Sequence, residues 1–240
     1  PALTLNRLCG SGMQAIVTAA QAIMLGDADV AVAGGAENMS RSPYFSQAMR
    51  SGARMNDTTL VDAMVAALSD PFDDCHMGLT AENVSVKYGI SREDQDEFSL
   101  KSHQKAAKAV NSGLFDPELV QVDVEVTELD EDDKQFKRHF TVKRDEGPRA
   151  DTNIEALAKL KPAFKEGGVV TAGNSSQMSD GAAGVVVMSA ERAKQLGLEP
   201  LARFVSFAVG GVSPELMGIG PIVAIPKALK VAGLTLNDID

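Results

Sequence analysis

The sequence predicts an α/β protein, and three of its features support that class. An apolar run without charges, residues 12–25, ends at a glycine, which is typical of a buried helix. Short runs of valine and alanine, at residues 29–33 and 185–188, are typical of buried strands. With 240 residues, 44% of them hydrophobic and 23% charged, the chain is long enough to bury the core of one or two domains.

The first elements predict a βαβ unit. Residues Leu3–Leu8 alternate in part and end in the small-residue turn Cys9-Gly-Ser-Gly12, so we expect a strand and then a turn. The helix of residues 12–25 follows, and a second strand over Asp29–Ala33 is closed by the pair Gly34-Gly35. Two strands joined by a crossover helix run parallel, so this order predicts a parallel sheet.

The middle of the chain predicts a long irregular stretch and then two helices. Residues 36–79 show no sustained period, and loops of that length are usually functional or disordered. Thr80 is a suitable N-cap for a short helix that ends at Gly89. Ser91 is the expected N-cap of a longer helix over residues 92–112.

The second half predicts a hairpin and then a return of alternating strands and helices. Valines alternate with polar residues over 120–127, and after the acidic turn 130–133 a second alternation places Phe136, Phe140 and Val142 on one side. Further helices are expected at about 154–161, 190–196 and 217–233, and further strands at 185–188 and 201–209.

Composition excludes several classes of function. The net charge of −10 argues against binding a nucleic acid backbone, because that affinity rests on Lys and Arg. Cys9 and Cys75 are too few for a disulfide framework and lack the spacing of metal ligands, so no metal site is expected. We identify no run of 18 uncharged apolar residues and no leader pattern, so we expect a cytoplasmic address, with an organelle matrix also open, and no membrane partner.

Cys9 is the residue that carries a chemical hypothesis. At the junction of a strand and a helix, backbone N–H groups point outward and the positive end of the helix dipole favours a thiolate. The small residues after Cys9 leave room for a carbonyl carbon, and the turn could hold an oxyanion. From the residues alone, a buried structural cysteine in a tight turn stays open as the alternative. Cys75, beside His76 in an extended stretch, is expected to be a bystander, and His103 and His139 are expected to be solvated.

Six groups of residues are informative because of their order and their spacing along the chain. They are residues 6–15 with 34–39, 76–78 with 80–83, 91–96, 160–164, 173–176 with 180–183, and 217–221. Together they closely resemble the motifs of the thiolase family, and the resemblance covers essentially the whole chain. It identifies the residues around Cys9 as similar to the family's nucleophile motif.

The resemblance implies a layered α-β-α-β-α architecture with an inserted α+β loop domain that holds coenzyme A. It implies that residues 1–38 and 175–198 belong to the N-terminal half of the core. Residues 39–174 would form the loop domain, and residues 199–240 would begin the C-terminal half. We expect a central fragment, because the first strands of the family would precede it and the later catalytic motifs would follow it.

The resemblance also implies roles for particular residues. Cys9 would be the acylated nucleophile. The residues similar to coenzyme A or substrate positions are His76 and Ser176 at the pantetheine arm, Arg149 at the nucleotide end, Met77, Phe164 and Met217 along the pocket, and also Leu160 and Ala172. No covalently bound cofactor is implied, since coenzyme A and acetyl-CoA would be substrates.

The activity implied is that of an acyl-CoA C-acetyltransferase, which forms or cleaves acetoacetyl-CoA through an acyl-cysteine. A longer-chain 3-ketoacyl-CoA thiolase of β-oxidation is the first alternative, and a ketoacyl synthase or a non-catalytic binding fragment are others. The family's activating histidine, its Asn-Glu-Ala-Phe motif and its second cysteine are not found here, so these 240 residues alone are expected to be inactive. A homodimer or homotetramer is also implied.

Overall fold

The structure, a computed structural model, describes residues 1–240. The α-helices are α1 Ser11–Leu25, α2 Ala63–Ala67, α3 Met77–Tyr88, α4 Arg92–Asn111, α5 Ile154–Ala158, α6 Ala190–Gln195 and α7 Gly220–Ala232. The strands are β1 Val30–Asn38, β2 Tyr44–Phe45, β3 Val61–Asp62, β4 Ser69–Asp70, β5 Cys75–His76, β6 Val122–Leu129, β7 Gln135–Val142 and β8 Asp180–Met188. The 3-10 helices are Met39–Arg41, Ala48–Ser51, Pro214–Ile219 and Leu236–Asp238.

Two compact units make up the chain. The first consists of residues 1–89 and 178–240, and the second of residues 90–177. Residues 39–89 therefore pack within the first unit. The division into a core of residues 1–38 with 175–198, a loop domain of residues 39–174 and a second core half from residue 199 to 240 stays a prediction.

An antiparallel ribbon of β1 and β8 lies at the centre of the first unit, with α1 packed on it. Val17 and Ala20 of α1 and Ala33 of β1 are buried there. The ribbon pairs residues 30–38 with residues 180–188, so β1 continues through the glycine pair at which we predicted its end. A Cβ at Gly34 would overlap the carbonyl oxygen of Ala183. Glycine therefore allows the two backbones to pair closely instead of ending the strand.

Two predicted strands, Leu3–Leu8 and residues 201–209, are absent from the structure. The four strand pairs that do form are all antiparallel, so the prediction of a parallel βαβ unit is wrong for this chain. A strand is stable only where a neighbour completes its hydrogen bonds, and no segment of these 240 residues pairs with either stretch in that way. The prediction that residues 185–188 are buried is also wrong, since Val186 is 61% exposed.

Helix ends follow the predicted local signals in most places. Gly26 and Gly89 end α1 and α3 in the left-handed conformation. Ser91 begins α4 with a capping box, in which its hydroxyl accepts from the Asp94 N–H at 3.0 Å and the Asp94 carboxylate accepts from the Ser91 N–H at 3.1 Å. The Ser91 hydroxyl also donates to the Asp94 carboxylate at 2.8 Å, and this bond, followed by the one from the Ser91 N–H, lowers the pKa of the Asp94 carboxyl. The predicted hairpin is confirmed as β6 and β7.

One stretch, Leu8–Leu25, is long and apolar enough to cross a membrane by length and composition, with a mean hydropathy of 1.4. The stretch is uncharged but includes Ser11, Gln14, Thr18 and Gln21, so it is not an uninterrupted run of apolar residues. The same test is also passed by core helices of soluble proteins and by signal sequences. Here the stretch includes α1, which packs against the ribbon of β1 and β8.

Candidate active site

Cys9 lies in the turn that leads into α1, two residues before the helix begins, and it is exposed. The helix follows the cysteine as predicted, but an irregular segment precedes it in place of a strand. An exposed thiol at this position does not fit the alternative of a buried structural cysteine. Cys9 is therefore open to a substrate in this structure.

The turn before Cys9 is sharp because Leu8 has a left-handed backbone, with φ of 49°. Such a conformation costs a residue other than glycine about 1–2 kcal/mol. Side chains form three of its hydrogen bonds: the Asn6 Oδ1 accepts from the Leu8 N–H at 2.8 Å, the Ser11 hydroxyl accepts from the Arg7 N–H at 2.9 Å, and that hydroxyl donates to the Leu8 carbonyl at 2.7 Å. Two backbone bonds span the same turn, because the Gly10 N–H donates to the Arg7 carbonyl and the Ser11 N–H donates to the Leu8 carbonyl, both at 3.0 Å. The two side chains thus stabilise a strained turn beside the thiol.

Backbones approach closely around the start of α1. A Cβ at Gly35 would lie 3.5 Å from the Cα of Gly12, so β1 passes directly beside the first turn of the helix. A Cβ at Gly12 would meet open space. The N–H groups of a first helical turn lack partners within the helix and carry a partial positive charge. Cys9 therefore sits next to an uncrowded helix N-terminus, where a negative oxygen on a substrate carbonyl would be stabilised.

His76 is the N-cap of α3, a position that we predicted for Thr80. The His76 Nδ1 accepts from the Gly78 N–H at 3.0 Å, which leaves Nε2 as the nitrogen that donates. Thr80 lies one turn later, and its hydroxyl donates to the Met77 carbonyl at 2.7 Å. The prediction for Thr80 is wrong because an imidazole can also accept from the second N–H of a helix. This capping bond fixes the orientation of the His76 ring.

Met77 and Met217 lie on elements that pack together within the first unit. Met77 is the first residue of α3, and Met217 lies in the 3-10 helix Pro214–Ile219, which contacts α3. The Asn83 amide of α3 donates to the Glu215 carbonyl at 3.1 Å. The structure therefore brings together the elements that carry His76, Met77 and Met217.

Cys75 precedes His76 and is partly buried. Burial, and then the carboxylates of Asp70 and Asp73, raise the pKa of the Cys75 thiol. A raised pKa disfavours the thiolate, which is the nucleophilic form. The surroundings of Cys75 therefore agree with its prediction as a bystander.

Four of the predicted coenzyme-binding residues share one segment of the second unit, residues 157–176. Phe164 is half-buried in this segment, whereas the other three residues are exposed: Leu160, Ala172 and Ser176. The middle of the segment folds back on itself, because the Ala163 N–H donates to the Val170 carbonyl at 2.9 Å. A single folded loop thus presents these residues.

Arg149 is held elsewhere in the second unit, by a residue that the sequence did not predict. The His103 Nδ1 accepts from the Arg149 N–H at 3.2 Å, an exposed contact that the prediction of a solvated His103 did not include. These residues lie 46 positions apart, and no local pattern links them. Nearby is a cavity of about 180 Å³, lined by Ala107, Val110, Asn111, Arg144, Asp145, Pro148 and Ala150. The other histidine, His139, is exposed as predicted and lies 3.4 Å from a Glu125 carboxylate oxygen.

Comparisons with known sequences place the whole chain in one family. Residues 1–191 match the thiolase N-terminal domain, and residues 198–240 match the thiolase C-terminal domain. A beta-ketothiolase of Cupriavidus necator is 52% identical over 241 residues, which include all of this chain and 59% of the relative. A 3-ketoacyl-CoA thiolase of Bacillus subtilis is 52% identical over 239 residues, all of this chain and 58% of the relative.

Solved structures show the same likeness. The acetyl-CoA acetyltransferase of Bacillus anthracis superposes with a TM-score of 0.91 at 46% identity, over 98% of this chain and 58% of that one. The human mitochondrial 3-ketoacyl-CoA thiolase in complex with CoA gives a TM-score of 0.90 at 41% identity, over 100% of this chain and 58% of that one. This chain thus spans less than two thirds of the length of these relatives.

The matched domains and the superpositions agree with the ordered motifs that begin at Cys9. They confirm the α/β, thiolase-like fold class that those motifs implied. The chain belongs to the thiolase family.

Proposed function

We propose that the protein containing this chain is an acetyl-CoA C-acetyltransferase that forms and cleaves acetoacetyl-CoA. The observation that carries the proposal is the exposed Cys9 thiol, held on a strained turn beside the N-terminus of α1. Relatives named acetyl-CoA acetyltransferase, among them one from Pseudomonas aeruginosa at 50% identity, support this activity.

The reaction proceeds in two half-reactions. The Cys9 thiolate attacks the ketone carbon of acetoacetyl-CoA, the bond between C2 and C3 breaks, and C2 takes up a proton to release acetyl-CoA. The thiolate of a second coenzyme A then attacks the acyl-cysteine carbonyl, and the Cys9 thiolate leaves as the second acetyl-CoA forms. N–H groups at the start of α1 stabilise the oxyanion of each tetrahedral intermediate. Condensation is the same sequence in reverse.

Coenzyme A and its thioesters are the substrates, and the family resemblance supports the binding residues proposed in each unit. In the first unit, His76 is proposed to contact the pantetheine arm, and Met77 and Met217 the acyl group and the arm. In the second unit, Ser176 is proposed to contact the arm, Arg149 the nucleotide end, and Leu160, Phe164 and Ala172 the acyl group and the arm. The donor on His76 is its Nε2, because Nδ1 is engaged as the helix cap. No metal ion takes part in this scheme.

A longer-chain 3-ketoacyl-CoA thiolase is the second candidate. The names of the relatives support it as strongly as they support the first candidate. The Bacillus subtilis relative carries that name at 52% identity, which equals that of the beta-ketothiolase. The two candidates differ only in the acyl chain that the pocket accepts. A comparison of kcat/KM for acetoacetyl-CoA and for a 3-ketooctanoyl thioester distinguishes them, and a higher value for the longer substrate would favour the second candidate.

The nucleophile is tested by mass spectrometry of the full-length protein after mixing with acetyl-CoA. We expect one acetyl group on Cys9, none in the Cys9→Ala variant, and normal labelling in the matched Cys75→Ala variant. Acetyl transfer that survives Cys9→Ala would refute the proposed nucleophile. Labelling by an acyl-carrier-protein thioester, with none from acetyl-CoA, would favour a ketoacyl synthase, and no labelling by either would favour a binding protein. The 240 residues alone should show no thiolytic turnover.

We also propose a homodimer or homotetramer and a cytoplasmic address, with an organelle matrix compatible. The support for the oligomer is the family resemblance of the chain. Light scattering of the full-length protein tests the oligomer, and a monomer at micromolar concentration would contradict it.

A further inference from the structure

Arg92 and Asp96 form an ion pair in the first turns of α4. The Arg92 Nε donates to the Asp96 Oδ2 at 2.7 Å, and the side chains are 18% and 3% exposed. An exposed ion pair of this kind contributes little, but a buried carboxylate needs its partners. The buried Asp96 carboxylate therefore depends on its hydrogen-bond donors, and it holds those donors in place in turn.

The same Arg92 guanidinium binds the first part of the segment 157–176. Its terminal nitrogen donates to the Leu157 carbonyl at 2.6 Å and to the Leu160 carbonyl at 3.1 Å. These carbonyls belong to the last turn of α5 and the residues after it, and the Leu157 carbonyl also accepts from the Leu160 N–H at 3.0 Å. Arg92 thus joins α4 to the start of the segment.

Asn174 binds the last part of the same segment. Its amide nitrogen donates to the Asp96 Oδ1 and to the Val169 carbonyl, both at 3.0 Å. Its amide oxygen accepts from the N–H of Thr171, a residue that is 0% exposed, at 2.8 Å. Asp96 therefore reaches the start of the segment through Arg92 and its end through Asn174.

Close packing joins the two ends directly. A Cβ at Gly173 would lie 2.5 Å from the Leu160 Cδ1 and 2.6 Å from the Leu157 Cδ2, so these leucines pack against the glycine backbone. Leu157 is buried, whereas Leu160 is 38% exposed at the surface of the loop. The part of the segment between Leu160 and Gly173 carries Phe164 and Ala172, and Ser176 is the last residue of the segment.

We propose that Arg92, Asp96 and Asn174 are positioning residues that hold segment 157–176 in the shape that binds the pantetheine arm of coenzyme A. This proposal rests on the proposed function. The three residues act through the loop and do not contact the coenzyme. Because the Asp96 carboxylate links both ends of the loop, loss of its charge loosens every binding residue that the loop carries.

The Asp96→Asn variant of the full-length protein tests the proposal. It preserves the size of the side chain but leaves the partly buried Arg92 without its counter-ion. We expect KM for acetyl-CoA to rise about tenfold or more, the factor that corresponds to a lost hydrogen bond to a charged group, with kcat changed less than about threefold. The matched control is Glu97→Gln, a substitution at the neighbouring residue. Glu97 forms an exposed ion pair with Lys101 at 2.6 Å, so this variant should change KM less than about twofold.

A second substrate separates positioning from general damage. Acetyl-N-acetylcysteamine has the acetyl thioester but lacks most of the pantetheine arm and all of the nucleotide. Its rate of Cys9 acylation should be the same in Asp96→Asn and in the wild type. An equal loss with both thioesters would overturn the proposal, because it would show a general disturbance of the fold. An unchanged KM for acetyl-CoA would overturn it as well.

Arg92→Lys is the second variant, and it tests the proposal if Asp96→Asn does not fold. Lysine keeps the charge that Asp96 needs, but its compact ammonium does not reproduce the guanidinium fork that spans Asp96 and the two carbonyls. We expect a rise in KM of about threefold to tenfold with the same kcat, and no rise would overturn the proposal. If the wild type itself transfers no acetyl group, the proposed function fails, whereas an active wild type with unaffected variants refutes only the positioning roles.

Discussion

The strained turn before Cys9 leads to a prediction about Ser11. Its hydroxyl bridges the backbone across Leu8, since it accepts from the Arg7 N–H and donates to the Leu8 carbonyl. Ser11→Ala removes both hydrogen bonds and leaves the helix backbone intact. We therefore expect the turn to relax and Cys9 to leave its place beside the first turn of α1.

The magnitude follows from two opposing terms. The left-handed Leu8 costs about 1–2 kcal/mol. Each hydrogen bond contributes about 0.5–1.5 kcal/mol net, so the Ser11 hydroxyl contributes about 1–3 kcal/mol in total. The energy lost with the Ser11 hydroxyl is therefore about as large as the strain energy at Leu8 that it offsets. The population of the competent turn should fall by about 5- to 150-fold, which is the factor for a change of 1–3 kcal/mol.

The assay is the single-turnover rate at which acetyl-CoA acetylates Cys9, followed by mass spectrometry. We expect Ser11→Ala to lower this rate by the same factor. Leu8→Gly in the Ser11→Ala background should recover most of it, because glycine adopts the left-handed conformation without strain. Acylation of Ser11→Ala at the wild-type rate, or a double variant no faster than Ser11→Ala, would refute the reasoning.

Three further changes test the ribbon, a helix cap and a binding loop. Gly34→Ala should lower the free energy of unfolding by about 1–3 kcal/mol in urea, because the new methyl group meets the paired strand; Gly181→Ala, whose Cβ would meet open space, should not, and equal losses would contradict the packing. Hydrogen bonds from the N-cap serine lower the pKa of Asp94, so its stabilising effect is present above its unfolded pKa of about 3.9 and is lost as pH falls through the lower folded value. The difference in Tm between the wild type and Asp94→Asn should therefore disappear in acid, and a constant difference would contradict this linkage. His103→Leu should raise KM for coenzyme A by roughly 2- to 10-fold, because the Arg149 N–H loses its acceptor, whereas His103→Asn keeps an acceptor and should not; equal KM values for the two variants would contradict that role.

Helices and their ends were largely predictable from the sequence. Gly26, Gly89 and the capping box at Ser91 lie where their local patterns indicate, because a helix and its caps use hydrogen bonds between residues at most a few positions apart. Thr80 is the exception. Threonine is a common N-cap, but His76 accepts the bond one turn earlier, and sequence preference does not distinguish the two starts.

Strands were predicted less well, since each depends on a partner that is distant in sequence. The stretch Leu3–Leu8 has a suitable pattern, yet no segment of this chain pairs with it. The glycine pair at Gly34 predicts the end of β1, whereas the facing residues of β8 are small enough for the pairing to continue to Asn38. A pattern of side chains predicts what would fit a sheet, and the partner strand decides whether a sheet forms.

The sequence by itself determined the family, the nucleophile hypothesis at Cys9 and the positions of most helices, because short motifs and caps are local. Only the tertiary structure showed the strained Leu8 turn beside the exposed thiol, the contact of His103 with Arg149, and the link from Asp96 to Asn174. These contacts join groups up to 78 positions apart or depend on a backbone conformation that leucine rarely adopts. Residue patterns do not encode such pairings, since buried polar groups take whichever partner the fold places beside them.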